Sequence, residues 1–267
     1  MKKNFFWLII TLLTLTSCTI NSVTTYHKDN STSMLMDIDM KDALALTKGM
    51  VKDSASEGNK LKELELFPKD WTNMYQFMQE ESTKTGKKLP KDEDSIKLFK
   101  KMFIKSNYDG EDMKGISMKF DRISQQEMKK FYKGSETNNF LNATSSDKTF
   151  WDGNKLSLDT EFFNPKDFSK ALELKLKDKE ENKKGDKKEV KDVQQTLQQT
   201  KAMMKMMNMK FTNQIKFETK IKSISGKHDW IKQIDDYTID MSFSFNDLFD
   251  DTLKLQNADP KIEIITE

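Results

Sequence analysis

Met34-Leu35-Met36-Asp37-Ile38-Asp39-Met40 is the stretch on which the fold turns. Its even positions are apolar, and Asp37 and Asp39 fall on the other side, which is the alternation of a half-buried β-strand. Just before it, Asp29-Asn30-Ser31 suits a hairpin turn, because short polar side chains bond their own backbone there. The partner strand is expected around Tyr26.

Downstream the spacing changes. From Asp42 to about Met102 it is helical: Trp71, Met74, Tyr75 and Met78 fall at i, i+3, i+4 and i+7, predicting a helix that begins near Asp70. Pro90 followed by Asp92, Glu93 and Asp94 marks a second helix, with acids at its positive end and a stripe of Ile96, Phe99 and Phe103. Met113 to Ile123 returns to period two, with Ile116, Met118 and Phe120 on one face. Ser124-Gln125-Gln126-Glu127 is then a capping box, flanked by Ile123 and Met128 as a hydrophobic staple. The helix it starts is expected to stop at Gly134. Trp151-Asp152-Gly153-Asn154 makes a tight turn before Leu156, Leu158 and Phe162 resume the strand pattern.

Residues near 175–192 mix Lys, Glu and Asp around Gly185, which cannot bury apolar surface and predicts a mobile charged excursion. A helix with Val190, Val193 and Leu197 follows and carries Met203, Met204, Met206, Met207 and Met209. It leads into one long strand with Phe211, Ile215, Phe217 and Ile221 on one face. Tyr237, Ile239, Met241, Phe243 and Phe245 repeat that pattern, and Ile262 and Ile264 close the chain. Runs of strands with helices inserted, and no regular strand-helix alternation, indicate an α+β fold. The expected architecture is an antiparallel sheet with helices packed on one face and a helical insertion between the early and middle strands.

Working toward the amino terminus, Thr19 to Thr25 is a polar run that reads as a tether. Before it, Lys2 and Lys3 precede an apolar stretch of 11 residues from Phe5 to Leu15. That is a signal peptide in form, and it is shorter than the roughly 20 residues a membrane-spanning helix needs. The stretch ends in Leu15-Thr16-Ser17-Cys18, an aliphatic residue, two hydroxylated residues and cysteine. Here the chain resembles the bacterial lipoprotein class with its lipobox. The resemblance implies cleavage before Cys18, a diacylglyceryl group on the Cys18 sulfur and an acylated new amino terminus, with palmitate-type chains holding the protein on a membrane. The chain divides accordingly into a signal peptide at 1–17, a lipidated tether at 18–25 and a single α+β domain at 26–267. The early hairpin, helical insertion and late strand cluster also resemble uncharacterised lipoproteins of the Bacteroidota and, at greater distance, the β-rich LppM-type domain of mycobacteria. No functional residue is carried over from that likeness. In the sorting rules of Gram-negative lipoproteins, Thr19 rather than aspartate after the cysteine implies the periplasmic face of the outer membrane. In a Bacteroidota host, the lack of an acidic cluster there argues against display on the cell surface.

Composition sets further bounds. Cys18 is the only cysteine, so no internal disulfide forms, and removing 17 of 267 residues leaves 250, ample for a core. Losing Lys2 and Lys3 brings the formal charge from +2 to zero, which gives no electrostatic case for nucleic acid. Arg122 is the only arginine.

Chemical motifs are sparse. His27 and His228 are far apart without a motif around either, and the chain lacks H-E-x-x-H, G-x-S-x-G and a phosphate-cradling glycine loop. The paired acids Asp37 with Asp39, Asp235 with Asp236, and Asp250 with Asp251 lack calcium-loop spacing. Met203 to Met209 is the sharper feature, because clustered thioethers select Cu(I), although methionine is also a flexible core filler. No cofactor, metal or catalytic residue is expected. The favoured reading is a membrane-anchored, non-catalytic lipoprotein that binds an envelope protein or a hydrophobic ligand. The alternatives are a hydrolytic envelope enzyme using the scattered acids and a Cu(I)-handling lipoprotein using Met203 to Met209.

Overall fold

The computed structural model describes residues 18–42, 44–45, 66–86, 88–128, 149–165, 198, 202, 208–250 and 252–267. The expected signal peptide, the helix stop at Gly134, the charged excursion near 175–192 and Met203 to Met207 lie outside them.

Strand is the commonest element of the described chain, arranged in two sheets. The larger has eight strands, β10-β11-β8-β1-β2-β5-β4-β3 in spatial order, and the smaller has four, β6-β7-β12-β9. Their ranges are β1 Thr19–Tyr26, β2 Ser31–Asp39, β3 Thr72–Asn73, β4 Met102–Asp109, β5 Asp112–Ser124, β6 Thr149–Trp151 and β7 Lys155–Asp159. The remaining five are β8 Lys210–Phe217, β9 Ile221–Ser225, β10 Ile231–Gln233, β11 Thr238–Ser244 and β12 Lys261–Thr266. The expected single antiparallel sheet is thereby corrected. Among the described residues there are two sheets, and the larger is mixed, because β1 and β8 run parallel with Thr19 opposite Lys210. Period-two patterning fixes which side chains share a face but not which strands become neighbours or in what direction.

The tether is also corrected. Thr19 to Tyr26 is an interior strand of the large sheet, with Ile20, Ser22, Thr24 and Tyr26 buried on one face. Its polar composition conceals this, because the small hydroxyl groups are satisfied in place: Ser22 Oγ donates to the Thr212 carbonyl and Thr24 Oγ1 to Asn213 Oδ1. The β1–β2 hairpin turns at the expected Asp29-Asn30-Ser31. Asn30 takes a φ of 63°, and the His27 amide donates to the Ser31 carbonyl at 3.0 Å. On β2, Leu35, Asp37 and Asp39 are exposed, while Met34, Met36 and Ile38 alternate with them toward the interior.

Three expected elements shift. Helix α1 spans Met74–Thr85 with Asn73 as its cap, so Trp71 precedes the helix instead of opening its apolar face. Helix α2 spans Glu93–Lys101 behind an Asp92 cap, and Phe103 already belongs to β4, where Met102 has turned extended. The long strand from Phe211 to Ile221 is two strands in different sheets, since the chain leaves β8 after Phe217 and enters β9 at Ile221. Tyr237, expected in the core, is 48% exposed, whereas Phe245 is buried as the first residue of the short helix α3, Phe245–Leu248.

The small sheet packs on part of the large one. Tyr26, Ile215, Phe217 and Ile239 from the large sheet meet Trp151, Leu156, Leu158, Ile262 and Ile264 from the small one in a single apolar cluster. A second cluster joins Leu98 of α2 to Met102, Phe120 and Ile123. The capping box is formed as read: Glu127 N–H donates to Ser124 Oγ at 3.3 Å and Ser124 N–H to Glu127 Oε2 at 2.8 Å. Asp152 N–H donates to the Lys155 carbonyl across the expected turn, where Gly153 has a φ of 102°.

Candidate functional site

Four places carry the residues that the sequence singles out. The first is the Cys18 end of the large sheet. Lys210 N–H donates to the Cys18 carbonyl at 2.9 Å, so strand pairing begins at the cysteine itself. The Cys18 side chain is buried, and its thiol is pushed up by that burial and then by nearby Asp39. At the same level of the sheet, Ser244, Lys210, Thr19, Asp39, Gly115 and Asn107 lie side by side across six strands. Beyond that line lie α3, the segment entering at Met40, and the β4–β5 turn, where Lys41 Nζ meets Asp109 at 2.9 Å.

The opposite end of β1 holds His27, which the sequence left without a partner. His27 Nδ1–H donates to Glu218 Oε1 at 2.6 Å, and Nε2 lies 2.8 Å from Ser33 Oγ. Arg122 reaches Glu218 and Asp29 with two nitrogens, at 2.9 and 2.8 Å. Glu218 is held below its ordinary value by the amide of Lys28 and by His27. Asp29 is lowered to about 2, chiefly by the Ser31 hydroxyl and amide. The atoms of Ser33, His27 and Glu218 follow the order of a nucleophile, base and orienting acid. Ser33 Oγ is nevertheless committed elsewhere, because it donates to Asp121 at 2.8 Å and accepts from Arg122 N–H at 3.0 Å. The knot ties the β1–β2 turn to β5, whose Arg122 has a φ of 46°, and to the end of β8. Composition flags Arg122 and turn propensity flags Asp29, but nothing linear joins them to Glu218, 96 residues beyond Arg122 and farther still from Asp29.

His228 occupies the third place. Its Nδ1 accepts from the Trp230 amide at 3.3 Å, which puts the proton on Nε2, and burial holds the ring below its ordinary pKa. The ring borders a cavity of about 280 Å³ with Thr160, Glu161 and Asn164, and a groove of about 470 Å³ beside β9 and β10. Both have room for several waters. Neither touches the His27 knot.

The fourth place is the face of the large sheet turned away from the small one. Leu35, 40% exposed, lies in register with Lys119 and Phe103. Lys119 Nζ sits 4.5 Å from the Trp71 ring centre, and Lys105 Nζ 5.1 Å from it. Asp37 and Asp39 of β2 share this face with Leu35, so a few apolar side chains stand among charges of both signs, a surface that can bind a partner.

The paired acids have local work. Asp37 accepts from the Ser117 hydroxyl, Asp39 from the Lys41 amide, Asp235 from the Tyr237 amide and Asp236 from Lys220. Asp250 accepts from Thr252, and Asp251 lies outside the described residues. Of the methionine cluster, Met209 is described, and it packs against a cluster of Ile20, Phe243, Phe245 and Leu248. Among the described residues, no three His, Cys, Asp or Glu side chains are grouped to hold a metal, and no helix is long and apolar enough to cross a membrane.

No protein-family model matches the chain, and no curated protein matches it. Among solved structures it is similar to the NMR structure of the Mycobacterium tuberculosis LppM folded domain. Identity is 10% and the TM-score 0.36, over 94% of this chain and 91% of that one. At that score the likeness carries no argument about fold or function, and none of these comparisons bears on the resemblance to Bacteroidota lipoproteins.

Proposed function

We propose that the chain is a lipid-anchored envelope lipoprotein, held at the periplasmic face of the outer membrane through Cys18, whose domain binds a protein or hydrophobic ligand and does not catalyse. The observation that carries this reading is Leu15-Thr16-Ser17-Cys18 behind an apolar stretch of 11 residues, ending where β1 begins. Cys18 is buried in the folded chain, so this reading requires its sulfur to be modified before β1 docks. The open face around Leu35, Trp71 and Lys119 supports binding over chemistry. Growing cells with a fatty-acid analogue tests the anchor: wild-type protein takes up label and sediments with membranes, and Cys18→Ala does neither. A variant that still labels and sediments after a high-salt wash contradicts the reading.

A hydrolase is the second reading, favoured by the Ser33–His27–Glu218 chain alone. A fluorophosphonate probe separates the two, since a binding protein stays unlabelled and an activated Ser33 reacts.

A further inference from the structure

The missing tether has a consequence for how the domain meets its membrane. We infer that the anchored domain stands on the bilayer by the Cys18 end of the large sheet, with a zwitterionic headgroup layer as its partner there and the Asp29 turn pointing away. The inference rests on the reading of Cys18 as the lipid carrier.

A flexible linker of ten residues spans roughly 17 Å as a coil and would let the domain tumble. Here the linker has no length, because the Cys18 carbonyl already accepts from Lys210 and Thr19 already pairs with Asp39 and Lys210. Acyl chains on Cys18 therefore start at the end of an interior strand, between β2 and β8, and the sulfur, buried in the unlipidated chain, has to turn out past that end to carry them. The seven steps from Thr19 to Tyr26, at about 3.3 Å each, put the far end of β1 roughly 23 Å along the sheet. Strands so paired cannot fold back, so the β4–β5 turn and the residues beside Thr19 are brought to the headgroups, and Lys28 and Asp29 are carried away from them.

The charges at this end choose the lipid. Asp39, Asp109, Glu111 and Asp112 are exposed against Lys41 and Lys210, and Lys41 is taken by Asp109. Among the described residues, with Lys114 also at this end, the balance is acidic and no basic cluster of the kind that docks on anionic lipid is present. Ammonium groups of a zwitterionic layer such as phosphatidylethanolamine complement it.

The test uses full-length protein, lipidated in a bacterial host and reconstituted into vesicles of phosphatidylethanolamine and phosphatidylcholine. With Cys18 consumed by its thioether, Glu111→Cys and Lys28→Cys each offer one thiol for a fluorophore, and headgroup-labelled nitroxide lipid is the quencher. The expected result is severalfold stronger quenching at 111 than at 28. A Gly-Ser linker of about ten residues after Cys18 should erase the difference, and replacing half of the lipid with phosphatidylglycerol should weaken quenching at 111. Equal quenching on vesicles that carry the protein overturns the orientation while leaving the anchor intact. Protein that does not float with vesicles overturns the anchor and the orientation together.

Discussion

The amide of Lys210 donates to the carbonyl of Cys18 at 2.9 Å, which makes the residue expected to carry lipid the first member of the ladder between β1 and β8. Anchor and core are thus one continuous structure.

Close packing at the same end makes Gly115 sensitive. A Cβ there would lie 2.0 Å from the Ile38 carbonyl oxygen, within the β2–β5 pairing. Neither atom belongs to a side chain that can swing aside. Gly115→Ala should cost at least about 2 kcal/mol by chemical denaturation, toward the upper end of overpacking penalties. An unchanged midpoint would contradict the β2–β5 register.

The capping box at Ser124 gives a smaller effect. Ser124→Ala removes the acceptor of the Glu127 amide and should destabilise by about 1 kcal/mol without loss of fold. Glu127 also takes Lys101 Nζ at 2.7 Å, so Glu127→Ala should cost more than Ser124→Ala. The reverse order in paired denaturation curves would show that the reciprocal bond is not formed.

How much of this was legible follows the range of each signal. The Asp29-Asn30-Ser31 turn, the alternation of β2 and the Ser124–Glu127 box depend on residues within a few positions of one another, and all three are present. The parallel pairing of β1 with β8 is not encoded in any window, and Thr19 to Thr25 looked solvated because its hydroxyls find partners about 190 residues away. The break between β8 and β9 was hidden for a related reason, since Phe217 and Ile221 face the same apolar cluster from different sheets. At the candidate site, Cys18 was legible from local pattern alone. The His27–Glu218–Arg122 knot was not, being assembled from the β1–β2 turn, β5 and the end of β8.

Acid stability should report that knot. Glu218 is depressed below its ordinary 4.5 by the Lys28 amide and His27, so its contribution is present above that pH and is lost as pH falls through the lower folded value. Glu218→Gln should be less stable than wild type at neutral pH, and the gap should close as pH drops below 4.5. A gap that widens on acidification would reverse the assigned sign. His228 adds a separate window. Burial depresses it below 6.5, so stability should begin to fall just under that pH, and its NMR titration should midpoint below 6.5.

For the methionines, packing and copper binding predict opposite outcomes. Met209 packs against the apolar cluster that includes Ile20 and Phe243, so Met209→Leu, roughly conserving volume, should cost under about 1.5 kcal/mol. Replacing Met203, Met204, Met206 and Met207 as well should leave thermal stability indifferent to Cu(I). A wild-type gain with Cu(I), abolished by the leucine substitutions, would favour the metal reading by mass action.

The most direct measurement is the intact mass of the mature protein extracted from its own membranes, with fragmentation of its first peptide. The expected product is a chain beginning at Cys18, with diacylglyceryl on sulfur and an acylated amino group, followed by an unmodified Thr19. A chain that retains Met1 to Ser17, or one that begins at Cys18 with a free thiol, would contradict it.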